Sequence, residues 1–234
     1  VPLTPDGNGT IFEVEFSGTG FHVGDGYVVT NRHIATTPWA VDPRAQFLIG
    51  RSRAEPRMHR LLAFFPGQRQ PIPLKFARAS KSDDLAICTL KTIPKDIPAL
   101  PLDQESNAIQ VGKTIVMMGY PTGPNRLLAL LPEAEALAVQ EEYGSSLVPL
   151  LDQLAKRKLI KPLTTQGHIT DLYQTRIVFD AASTDGSSGT PMFGESGKVI
   201  GITFAVLVDE SASNFAVGIH GAIEQLRLAG WKGQ

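Results

Sequence analysis

The sequence has a single cysteine, Cys88, in 234 residues, so no disulfide can form within the chain and burial must hold the fold together. It has no excess of charge: 22 Lys and Arg against 23 Asp and Glu leave a formal net charge of −1. That removes the electrostatic footprint of a nucleic-acid binder or a membrane-surface protein. No apolar run approaches the roughly 20 residues that a bilayer-spanning helix needs. Neither His-x-x-x-His nor Cys-x-x-Cys occurs, so the histidines carry no metal-ligand spacing and no cofactor is expected. There is no low-complexity tract and no internal period. A signal-peptide pattern is also missing and position 1 is Val, so the chain is expected to be processed or cut from something longer.

What is present is apolar content, 42% of residues, enough for one large core or two small ones. It is distributed as short strand-like stretches. Thr10–Phe16 alternates, and Phe21–Val23 and Tyr27–Thr30 flank Gly24-Asp25-Gly26, a hairpin signal. Strand-like runs follow at Gln46–Ile49, His59–Phe64, Ile72–Phe76 and Asp84–Leu90. Pro94, Pro98 and Pro101 make 91–110 a stiff, non-helical connector. Strands resume at Thr114–Pro121, Gln166–Ile169, Arg176–Asp180, Lys198–Leu207 and Asn214–Ile219, and Ala222–Leu228 reads as a closing helix. So many strands at short spacing predict a sandwich or a closed barrel. One stretch departs from this. Pro132–Tyr143 has proline at its start, acids in its first turn and Gly144 just past its end, which predicts a helix. A second, Leu147–Lys158, ends on Lys156-Arg157-Lys158, suited to the negative end of a helix dipole. Its Leu147, Leu151 and Leu154 face is expected to pack on the β structure, with a lid or subunit contact as the sharper alternative.

The chain is punctuated by Thr184-Asp185-Gly186-Ser187-Ser188-Gly189-Thr190-Pro191, set between two apolar strands. A serine between glycines can expose its hydroxyl, and the glycines let backbone N–H groups converge as an oxyanion site. A serine needs a base, an imidazole suits that at neutral pH, and a carboxylate must hold the imidazole in one tautomer. Of His22, His33, His59, His168 and His220, only His33 directly follows an apolar strand and leads into small residues. Asp84 opens an apolar strand, with Asp83 beside it as competitor.

The order His, Asp, Ser makes the pattern specific. Ser17-Gly18-Thr19-Gly20-Phe21, Val28-Val29-Thr30-Asn31-Arg32-His33, Asp84-Leu85-Ala86 and Gly186-Ser187-Ser188-Gly189 resemble the trypsin-like (chymotrypsin-fold) serine peptidase superfamily, and within it the HtrA/DegP-type branch. Val199–Ile202, Asn214–Val217 and Gly119-Tyr120-Pro121 extend the resemblance to that branch. It implies an all-β fold of two six-stranded antiparallel barrels, with a helical hairpin inserted in the second and a C-terminal helix. The whole chain would be one peptidase domain: first barrel about 9–92, connector about 93–111, second barrel about 112–222 with the insertion at about 125–163, and the last helix at about 221–229. It implies Ser188 as nucleophile, His33 as base, Asp84 as its orienter, and the N–H groups of Gly186 and Ser188 as oxyanion donors. Ser187 stands where secreted trypsins carry an Asp that pairs with a freed amino terminus, so activation is expected not to need that cleavage. Thr190 departs from the branch's Ser-Gly-Gly. Ala182 would floor the first subsite, with Thr203, Phe204, Ala205, Phe215, Ala216 and Val217 as walls; with no acid there, cleavage after Val, Ala or Leu is expected. The resemblance further implies polypeptide substrates, leaves a homo-oligomer open, and leans toward a periplasmic or secreted setting over the cytoplasm. No PDZ module follows residue 234, so peptide sensing of that kind is expected to be absent from this chain.

Overall fold

The computed structural model describes residues 13–52, 55–105, 107–183, 186–204 and 214–233. The first half opens with a hairpin of β1 (Phe21–His22) and β2 (Tyr27–Thr30). Gly24, Asp25 and Gly26 all take positive φ in its turn, and Tyr27 N–H closes onto the Gly24 carbonyl at 2.9 Å. Then come α1 (Arg32–Thr36), α2 (Pro43–Ser52), β3 (Leu62–Ala63), β4 (Ile72–Ala79) and β5 (Ala86–Leu90). The strands form one antiparallel sheet in the order β1-β2-β5-β4-β3.

The second half contains β6 (Thr114–Gly119), three helices α3 (Pro124–Leu128), α4 (Glu133–Tyr143) and α5 (Leu147–Lys156), then β7 (Leu163–Tyr173), β8 (Arg176–Phe179), β9 (Pro191–Phe193), β10 (Val199–Phe204) and β11 (Asn214–Gly218). Its strands close a six-stranded barrel, β10-β11-β8-β7-β6-β9. Helix α6 (Ile219–Leu228) follows β11 directly. The fold is thus the two-barrel trypsin-like arrangement with a helical insertion and a terminal helix. Among the described residues no helix is long and apolar enough to cross a membrane.

In the first half the described strands are five in an open sheet, one fewer than the six of a closed barrel. Of the Thr10–Phe16 stretch, residues 10–12 lie outside the described residues and 13–16 form no strand. Gln46–Ile49, read as a strand, lies inside α2. Asp42 overrides the local apolar run: its carboxylate accepts the Ala45 N–H at 2.7 Å, and Pro43 sits in the first turn where its missing N–H costs nothing. Phe47 and Leu48, which carried the strand signal, are exposed.

Three features join the parts of the chain. One apolar cluster joins the halves: Val29, Leu85 and Ile87 from the first sheet pack with Val199, Ile202, Val217, Ile219, Leu226 and Trp231. The connector is strapped to both, with Leu100 N–H on the His22 carbonyl (2.8 Å) and Val199 N–H on the Pro101 carbonyl (2.9 Å). The helical insertion has a small core of its own, including Leu127, Val139, Leu150 and Leu154, touched by Phe64 from the first half and by Tyr120. Of the expected leucine face, Leu154 is fully buried there and Leu151 packs against it. Glu15 ties this insertion to the first half by accepting Ser146 Oγ at 2.8 Å and Leu147 N–H at 2.5 Å, capping α5 from outside.

Candidate active site

The conformation around His33 is set by its neighbours in sequence. β2 ends at Thr30; Asn31 turns the chain in an extended conformation, and α1 starts at Arg32. Asn31 Nδ2 donates to the Asp84 carbonyl at 2.7 Å, and Arg32 Nη1 donates to the carbonyls of Ser80 (3.1 Å) and Lys81 (3.3 Å). These bonds hold the start of α1 against the 80–84 turn. His33 is 8% exposed, and its ring Nδ1 stands 2.6 Å from Asp84 Oδ2. Its backbone N–H also donates to Asp84 Oδ1 at 2.9 Å. Both carboxylate oxygens are therefore engaged by one residue. Burial alone raises the Asp84 pKa, but the His33 ring, its N–H and Arg32 outweigh it and hold the carboxyl below its ordinary value. An ionised partner at Nδ1 keeps the ring proton there and leaves Nε2 free to accept. Asp83 points elsewhere: it accepts Ser82 Oγ at 2.8 Å and Thr175 Oγ1 at 3.3 Å.

Ser188 is 8% exposed and lies in the loop between β8 and β9. The loop is docked on the first half. Thr19 N–H donates to the Ser188 carbonyl at 2.8 Å, and Thr30 Oγ1 donates to the Thr19 carbonyl at 2.7 Å. Thr30 is three residues from His33, so the loop meets the first half at the root of α1. Glycine is required at 189: φ is +86°, and a Cβ there would fall 1.9 Å from the Thr19 carbonyl oxygen. No hydrogen bond joins Ser188 Oγ to His33 among the described residues. Such bonds are commonly long before a substrate arrives. Gly186 also has positive φ, +88°, and among the described residues neither its N–H nor that of Ser188 has an acceptor.

A family model described as a trypsin-like peptidase domain matches residues 18–202. The chain belongs to this family. Among curated proteins the peptidase domain is 29% identical over 136 residues to a putative serine protease HhoA of Synechocystis, covering 58% of this chain and 28% of that one. It is 24% identical over 225 residues to a probable periplasmic serine endoprotease, DegP-like, of Pseudomonas savastanoi, covering 93% of this chain and 36% of the other. The chain thus spans about a third of the length of these relatives, which are of the HtrA/DegP type. Its fold resembles the active form of the Rv3671c protease of Mycobacterium tuberculosis (TM-score 0.58, 17% identity, 92% and 74% covered). It also resembles a serine endoprotease of Yersinia pestis (TM-score 0.59, 14% identity, 94% and 60% covered).

The residues assigned to the first subsite are scattered in role. Ala182 lines a cavity of about 10 Å³ with Ser187, Thr190, Gly119 and Pro121, room for about one water. Thr190 Oγ1 is buried there without a partner among the described residues, against the space that Gly119 leaves by having no side chain. Phe204 and Phe215 pair with ring centroids 6.3 Å apart, and the Arg176 guanidinium lies 5.7 Å from the Phe204 centroid. Ala216 is buried in the barrel core. Thr203 points its hydroxyl at the Ser187 carbonyl, 2.6 Å away. Ala205 lies outside the described residues. A larger groove of about 290 Å³ runs along α6 and Gln104 and includes none of these residues. Of the remaining histidines, His22 is buried between the Pro98 carbonyl and the Gly26 N–H, a structural role. Two residues escaped the sequence reading as functional: Asn31, which fixes the backbone of Asp84, and Thr19. Both lay within motifs that carried the family resemblance, but their roles depend on backbone atoms far away in the chain.

Proposed function

We propose that the peptidase domain is a serine endopeptidase acting through Ser188, His33 and Asp84. The observation that carries this reading is the double engagement of Asp84 by His33, on the face of the first half that receives the Ser188 loop. In the proposed reaction His33 Nε2 takes the Ser188 Oγ proton as Oγ attacks the scissile carbonyl carbon. The carbonyl π electrons move to oxygen, and the N–H groups of Gly186 and Ser188 meet the resulting oxyanion. Collapse expels the amine, protonated by His33, and leaves an acyl-enzyme. Water, deprotonated by His33, then releases the acid and restores Ser188. Asp84 remains ionised throughout and stabilises the imidazolium.

Polypeptides are the proposed substrates, as the names of the relatives suggest. Small to medium apolar residues are proposed at the cleavage position. Apolar Phe204 and Phe215 support this, as does the Arg176 guanidinium over the Phe204 ring, which opposes a second cation. The test is labelling by a fluorophosphonate together with a panel of peptides varied at the cleavage position. Labelling should occur in the unsubstituted protein, disappear in S188A and collapse in H33A, and peptides with Val, Ala or Leu at the cleavage position should be cut best. Labelling unaffected by both substitutions overturns the triad. Arg or Lys as the best residue overturns the specificity. Labelling without hydrolysis of any peptide would favour a binding domain with gated activity.

A further inference from the structure

Glycine-rich loops have few side chains with which to hold themselves, so much of what aims their peptide groups comes from outside. In the Ser188 loop three consecutive carbonyls are each tied down. Thr19 Oγ1 donates to the Gly186 carbonyl at 3.0 Å. Thr203 Oγ1 donates at 2.6 Å to the Ser187 carbonyl, which also accepts the loop's own Thr190 N–H at 3.0 Å. Thr19 N–H donates to the Ser188 carbonyl at 2.8 Å. A trans peptide sets its N–H opposite its C=O. Holding the Ser187 carbonyl on Thr203, together with the Thr190 N–H, therefore sets the direction of the Ser188 N–H. Holding the Gly186 carbonyl on Thr19 fixes one of the two peptide planes that meet at Gly186, so the direction of the Gly186 N–H depends only on the two torsions of Gly186 itself.

Both threonines are themselves fixed. Thr19 is 4% exposed and uses every polar group it has, its hydroxyl also accepting the Tyr120 N–H at 3.3 Å and its carbonyl accepting Thr30 Oγ1. It is flanked by Gly18 and Gly20, where a Cβ would meet Ile34 at 2.7 Å and the Val29 carbonyl at 3.2 Å, so the segment presses on α1 and β2. Thr203 sits in β10, its N–H on the Thr190 carbonyl (3.0 Å) and its carbonyl on the Gly189 N–H (2.9 Å).

We propose that Thr19 and Thr203 are positioning residues for catalysis: a pair of hydroxyls, one from each half, that clamps the loop from behind and holds the oxyanion donors at Gly186 and Ser188 in place. This rests on the proposed triad. It changes the role of Thr203 from a wall of the first subsite to a support of the loop. It also gives the helical insertion a contact with the site, because Tyr120, which packs on that insertion, bonds the same Thr19 hydroxyl.

The test compares T19V and T203V, which remove the hydroxyl at nearly constant shape, with T19S and T203S, which keep it. Rates are normalised to active sites titrated with a fluorophosphonate. Each valine variant should lose about 10- to 100-fold in kcat with KM nearly unchanged, a fraction of the loss seen when an oxyanion donor is deleted outright. Each should bind a peptide boronic acid, which forms a tetrahedral adduct, weaker by a similar factor, while binding of a product peptide is unchanged. The serine variants should recover most of both. The double valine variant should lose less than the product of the single losses, because both act on one loop. If the valine variants melt earlier but keep kcat and boronate affinity within about twofold of the serine variants, the clamp is structural and the proposal fails. If instead S188A and H33A retain hydrolysis, the triad itself is wrong, and that outcome is separate.

Discussion

Replacing Asp84 by Asn tests the His33 geometry most directly. The carboxylate accepts two bonds from one residue, the His33 backbone N–H on Oδ1 and ring Nδ1 on Oδ2. An amide has one acceptor oxygen and one NH₂ donor. If its oxygen takes the backbone N–H, its NH₂ faces Nδ1, which must then be unprotonated. The ring proton moves to Nε2, where the proposed reaction needs a lone pair for the Ser188 proton. If the amide turns the other way, two donors collide at the His33 N–H. The first arrangement wins, and the base is lost without the fold being lost. The expected loss is about 10⁴ in kcat, or about 5.5 kcal/mol of transition-state stabilisation. Stability should fall by much less, about 1.5–3 kcal/mol for bonds to a charged acceptor. Because the Asp84 pKa is lowered in the folded protein, its contribution is present above the unfolded value of about 3.9 and disappears as pH drops through the lowered folded value. The part of the stability gap between D84N and the unsubstituted protein that comes from the Asp84 charge should therefore be lost as pH falls below about 4. Hydrolysis of a chromogenic peptide, with denaturant melts carried down through that pH, measures both. D84N within about tenfold of full activity, alongside an inactive S188A, would refute the tautomer argument.

Two further outcomes follow from contacts described above. G189A should displace the Ser188 loop, since its Cβ cannot coexist with the Thr19 carbonyl 1.9 Å away; kcat should fall about 100-fold or more, and a near-normal rate would mean that the loop is not docked as described. E15A should uncap α5 and cost about 1–2 kcal/mol, or about 2–8 °C in Tm for a domain of this size, with faster amide exchange at Leu147–Leu150; E15Q, which keeps an acceptor, should cost less.

Much of the fold was legible because strands and caps leave local marks. Pro132 and Gly144 bracketed α4, and Gly24-Asp25-Gly26 announced the first hairpin, because each rests on a conformational preference of the residue itself. Gln46–Ile49 misled, because its apolar residues stay exposed on α2 and Asp42 and Pro43 decide the conformation from the preceding turn. The pairing of His33 with Asp84 could be anticipated from residue types in a known order. The supports could not. Asn31 and Thr19 act on carbonyls of residues 53 and more than 160 positions away, and a threonine hydroxyl aimed at a distant carbonyl has no signature in its own neighbourhood.

The apolar cluster shared by both halves bears on how the molecule melts as well as on how it works. Each half has a buried cluster of its own, but side chains of the first sheet, the closing barrel and the last helix also interlock in a shared one, so separating the halves would expose that cluster to water. Calorimetry should accordingly find one cooperative transition, with calorimetric and van't Hoff enthalpies in agreement. On the proposed triad, the relative placement of imidazole and hydroxyl comes from the same interdigitation that opposes denaturation, and a change that loosens Leu85 against Ile219 or Leu226 should disturb that alignment as well.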